Sequence, residues 1–165
     1  MISLAGSLQA AWPALKASLS QFSTADVSFT LHTFPLPYHH NAFTASMGAH
    51  AVALSGKDVF AWLEAVFAAQ EQFGNGATSN DSFVQITNMF GKLAEQTAGV
   101  NIPQAQFVAD LNNGNYDEDS RISWKLSCSR GVSGTPTFFV NGARVAADSS
   151  WTAQQWVALI KQVLG

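Results

Sequence analysis

Gly131-Val132-Ser133-Gly134-Thr135-Pro136-Thr137-Phe138-Phe139-Val140-Asn141-Gly142-Ala143-Arg144-Val145 reads as loop, strand, tight turn, strand. Asn141-Gly142 between two apolar runs is the strongest short-range hairpin signal, because a type I′ turn needs positive φ at both central residues and these two tolerate it. Thr137–Val140 and Ala143–Ala146 should therefore pair antiparallel. Pro136 stands just before the first strand, where its missing N–H removes no ladder bond. A turn there is the usual setting for a cis peptide, although the local sequence suits an ordinary trans proline as well. Gly131 and Gly134 let the backbone bend sharply into the strand.

Outward from this stretch, the chain has the length of one domain, 165 residues, enough to bury a proper core. With 47% hydrophobic and 12% charged residues it is globular, which excludes a disordered or coiled-coil chain. A net charge of −3 gives no basic field for phosphate, so no nucleic-acid partner is expected. No apolar run approaches the roughly 20 residues of a membrane span, so no membrane partner is expected either. Met1–Leu8 lacks a basic segment followed by a long apolar one, so no intact signal peptide is expected. Cys128 is the single cysteine, which rules out an intrachain disulfide and a cysteine metal cluster and leaves the compartment open.

Leu8, Trp12, Leu15, Leu19 and Phe22 share one helical face, predicting a helix from about Ser7 to Phe22 with Pro13 inside it. Val27, Phe29 and Leu31 alternate with Ser28, Thr30 and His32, predicting a half-buried strand that ends at Pro35 and Pro37. From 41 to about 112 the pattern is helical. Ser55 and Asp58 open one segment bearing Val59, Leu63, Val66 and Phe67. Asn80 or Asp81 opens another bearing Phe83, Ile86, Phe90 and Leu93, and Pro103 suits the first turn of a third. Asp117, Glu118 and Asp119 suit the start of a helix running through Ile122, Leu126 and Arg130. Thr152 caps a last helix with Trp156, Leu159, Ile160 and Val163 inward.

Gly134-Thr135-Pro136-Thr137-Phe138-Phe139-Val140-Asn141-Gly142, with Pro35-Leu36-Pro37-Tyr38-His39-His40-Asn41-Ala42 and Ser129-Arg130-Gly131-Val132, resembles the thioredoxin superfamily over nearly the whole chain, most closely its DsbA-like branch, which also holds kappa-class glutathione transferase-like proteins. The resemblance implies an α/β thioredoxin-like fold, one domain spanning 1–165, with an all-helical insertion at about 41–112. It implies thiol–disulfide exchange or glutathione-linked transfer as the family chemistry. It also implies a substrate-binding loop, in which Thr135, flanked by Gly134 and Pro136, offers backbone to an extended peptide or thiol substrate.

In active members a Cys-Pro-x-Cys or Cys-x-x-Ser opens the first helix, where the helix dipole lowers the pKa of the leading thiol. Here that window falls on Ala5, Gly6, Ser7 and Leu8, with no cysteine, and Ser7 reads as a helix cap. No catalytic residue, cofactor or metal is assigned. The family's first strand is missing or reduced to Met1–Leu4, so that either the chain is cut short or another molecule fills the gap; exposed edges on both neighbouring strands predict possible self-association. Cys128 reads as a small buried residue, with a redox role as the alternative. His39 and His40, beside Tyr38 and near His32 and His50, read as structural groups bonding loop carbonyls. The expected function is a redox-inactive family member that retains peptide or thiol-substrate binding. The alternatives are a catalytic oxidoreductase in a full-length form and a histidine metal-binding module.

Overall fold

The computed structural model describes residues 6–165, and side chains from residue 9 onward. Ala5 and Met1–Leu4, to which a first strand was expected to be reduced if present, lie outside the described residues. Helix α1 spans Gly6–Leu19 with Pro13 inside, shorter at its C-terminal end than the periodicity predicts. Ser18 ends the apolar face: it is buried, and its hydroxyl turns back to donate to the Leu15 carbonyl at 2.7 Å.

The central block is four helices, α2 (Ala42–Leu54), α3 (Val59–Ala68), α4 (Phe83–Gln96) and α5 (Gln104–Asn112), with a 3₁₀ turn at Gln70–Phe73. Asp58 caps α3, its carboxylate accepting from the N–H groups of Phe60 and Ala61. Helix α4 is opened by Ser82 rather than by Asn80 or Asp81. Ser82 and Gln85 form a reciprocal capping box, and Phe83 is left exposed before the first buried turn. The core centres on Trp62, completely buried, with Phe107 at 5.1 Å and Phe90 at 6.0 Å between ring centroids. Helix α2 passes directly over it at Gly48, where an added Cβ would stand 2.6 Å from the indole.

Helix α6 (Asp117–Ser129) departs from expectation. Its buried residues are Ser120, Ser123 and Ser127, while Ile122 and Leu126 are exposed and so is Cys128, which was expected to be buried. The reason is its packing against α2. Small hydroxyl residues allow that approach; Ser123 donates to the Thr33 carbonyl and Ser127 to the Ser123 carbonyl of its own helix, bonds that larger apolar chains at the same positions could not make.

The hairpin is β1 (Phe138–Val140) and β2 (Ala143–Val145), antiparallel, with Phe138 opposite Val145 and Val140 opposite Ala143. Asn141 and Gly142 have φ of 48° and 80°, the double positive turn a two-residue loop demands. Helix α7 (Ala153–Leu164) starts at a Thr152–Gln155 capping box and packs on α1. Trp156 is buried and takes Phe138 edge-on at 4.8 Å, but Val163, predicted inward, is exposed.

Val27–Leu31 is the other departure. Its side chains alternate as expected, half-buried at Val27, Phe29 and Leu31 and exposed at Ser28 and Thr30, yet apart from an isolated bridge at Thr33 the stretch joins no ladder. Strand character needs a neighbour to receive its N–H and C=O groups, and among the described residues neither edge has one.

Candidate functional site

The loop from Arg130 to Thr137 is held at its base. Gly131 takes φ 75°, a left-handed turn open to glycine, as its N–H donates to the Cys128 carbonyl and that of Val132 to the Ser127 carbonyl. Val132 is then driven inward against Phe34, Leu36 and Phe139, a small core separate from the main one. The Thr135–Pro136 peptide is cis. Thr137 secures the far side, its hydroxyl donating to the Gly134 carbonyl at 2.7 Å. Gly134, Thr135 and Pro136 are each half-buried, so the turn is fixed in place while part of its surface faces solvent.

Of the other predicted site residues, Gly6, Ser7 and Leu8 form the first turn of α1, so Ser7 lies inside the helix and not at the capping position before it. Cys128 is an exposed thiol on the last turn of α6. Among the described residues the His39 and His40 rings bond no loop carbonyl, contrary to expectation. The His39 ring sits edge-on to Tyr38 at 4.8 Å, and the loop is tied instead by Asn75, which donates to the Tyr38 carbonyl and accepts from the His40 N–H. Among the described residues no three His, Cys, Asp or Glu side chains gather as a metal-ligand set.

Between the extended segment Ser28–His32 and the hairpin lie two cavities, of about 330 Å³ and about 240 Å³. Both are lined by Leu15, Ser28, Phe29, Phe138 and Phe139, so they are consecutive stretches of one slot. Trp12 and Leu15 of α1 cover it from one side. At one end are His32 and Arg130, at the other Asp26 and Asn141. His32 has its pKa lowered by burial first, and by the nearby positive charge of Arg130.

Behind this segment is a hydroxyl cluster that the sequence did not announce as a unit. Ser46 of α2 donates to Thr33 Oγ1 at 2.6 Å, Ser123 of α6 donates to the Thr33 carbonyl at 3.0 Å, and His50 Nε2 stands 3.4 Å from Thr33 Oγ1. Burial lowers the His50 pKa, against a smaller opposing pull from Asp119. The signal was present in Ser120, Ser123 and Ser127, three polar residues at helical spacing on one face.

A hairpin entered through a cis proline, helices on both sides of it, and a capped helix after it define a thioredoxin-like domain. A family model described as thioredoxin matches residues 13–162, and the chain belongs to that family. No curated protein and no solved structure matches it.

Proposed function

We propose that this chain is a DsbA-like member of the thioredoxin family that holds an extended peptide or thiol substrate without carrying out thiol–disulfide exchange. The observation that carries this is the cysteine inventory: one thiol, Cys128, on the exposed end of α6, and none in the window at Gly6–Leu8. Dithiol exchange passes through a mixed disulfide that a second thiol resolves, and this chain supplies no second thiol. The binding half rests on the loop at Gly134–Pro136, fixed by Val132 and Thr137 and partly open to solvent. The helical block from 42 to 112, between the extended segment and the hairpin, supports the DsbA-like branch.

The test is an insulin-reduction assay with dithiothreitol, run beside nuclear magnetic resonance titration of an unfolded cysteine-containing peptide. The expected result is no turnover above background, with shifts at Gly134 and Thr135 on peptide addition. Turnover that disappears in Cys128→Ser would overturn the redox-inactive reading, and an unmoved loop would overturn the binding one.

A further inference from the structure

Away from the slot, a further cavity of about 350 Å³ opens where the loop from Pro35 to His40 meets α6. None of its lining residues belongs to the Gly134–Pro136 loop or to the slot beside the hairpin. Its walls are held in place. Leu36 is buried in the small core with Phe34 and Val132, and Asn75 ties the loop through the Tyr38 carbonyl and the His40 N–H. Phe34 lies behind the Trp124 indole, nearly parallel at 11° and 6.1 Å between centroids, and does not itself line the cavity. Trp124 does, and it is 40% exposed, so ring surface is left uncovered at the opening.

Arg121 brings charge to the same place. Its Nε and Nη2 donate to the two Asp117 oxygens, and its guanidinium stands over the Phe43 ring at 5.4 Å. The group is thereby fixed, with Nη1 left without a partner among the described residues. The imidazoles of His39 and His40 line the cavity too, and a neutral imidazole still donates one N–H. Among the described residues no acidic side chain lines it. Because Asp117 already offsets part of the Arg121 charge, the balance suits one negative charge better than the two of a phosphate.

We propose that this cavity binds a small flat aromatic carboxylate, its ring against Trp124 and its carboxylate on Arg121 Nη1 and an imidazole N–H of the His39–His40 pair. The volume lies at the lower end of the range for small-molecule sites and admits one ring or two fused rings. Ring contact supplies affinity, and the charge-assisted bond selects the acid over its neutral analogue. This function is separate from peptide or thiol binding at Thr135, and either can fail alone.

The experiment uses the full chain, with indole-2-carboxylate as the probe and indole-2-carboxamide as its uncharged twin. Calorimetry gives the affinity, and nuclear magnetic resonance reads the indole N–H of Trp124 and the amides of His39 and His40. The expected result is saturable binding with Kd below about 1 mM and shifts at those three groups. The carboxamide, and Arg121→Gln with the acid, should each bind about tenfold more weakly, and the two changes together should cost no more than either alone. Trp124→Leu, which keeps apolar bulk but no ring, should weaken the acid about fivefold. Equal affinity for acid and carboxamide would overturn the proposal, and that comparison needs no variant to fold. Shifts at Phe29 and Phe138 in place of Trp124 would move the ligand to the slot and overturn it as well. So would the absence of saturation by about 10 mM, ten times the expected Kd.

Discussion

His32 and His50 are where residue chemistry reaches stability. Burial disfavours the charged imidazole in both, so each has a folded pKa below the 6.5 of the unfolded ring. As pH falls through 6.5 the unfolded chain binds protons first, and stability drops until the lowered folded values are passed; above 6.5 both rings are neutral in both states and the effect vanishes. Urea unfolding across this range should show that fall, and the double variant His32→Gln, His50→Gln should flatten it. An unchanged slope would mean other groups set it. Cys128 is the opposite case. Its side chain is exposed, so Cys128→Ser should leave stability within about 0.5 kcal/mol, as surface substitutions do, measured in the same titration.

At the scale of elements, glycines set how closely helices pack. Gly91 on α4 lies under α5, where an added Cβ would meet Val108 at 2.8 Å and the Gln104 carbonyl at 3.1 Å. A helix interior gains up to about 1 kcal/mol from glycine to alanine, but overpacking against a backbone atom costs about 1–3 kcal/mol, so Gly91→Ala should be net destabilising. Thermal melting of the variant checks the sign, and a raised midpoint would show that α5 gives way. Thr152→Ala removes the α7 capping box and should cost about 1 kcal/mol. That cap was legible because Thr152 and Gln155 carry their own geometry three residues apart. The hairpin was legible for the same reason, since Asn141-Gly142 dictates its turn. Helix α6 was not: apolar Ile122 and Leu126 suggested an inward face, whereas the helix packs on α2 and bonds Thr33 through Ser123, and a partner's chemistry is not written in a helix's own period.

For the whole molecule, the same limit explains Val27–Leu31. Alternation fixed which side chains turn inward, but ladder pairing is a property of two segments, and a single segment reports only its half. The result is a chain with unequal halves. The helical block holds Trp62, Phe90 and Phe107 at zero exposure, while β1 is half-buried along its length and lines the open slot. Stability should follow that division, since local opening is cheapest where apolar contacts are few. Trp62→Ala should cost about 3–5 kcal/mol, because two aromatic neighbours, Phe90 and Phe107, and α2 at Gly48 surround the cavity it leaves and cannot all move in. Phe138→Ala, already partly wet in the native state, should cost distinctly less. Native-state hydrogen exchange should then rank the amides of α2 and α4 slowest, with those of β1 and of residues 28–31 exchanging through smaller openings. Equal protection in the two halves, or Phe138→Ala as costly as Trp62→Ala, would show that the slot wall is as tightly packed as the helical core.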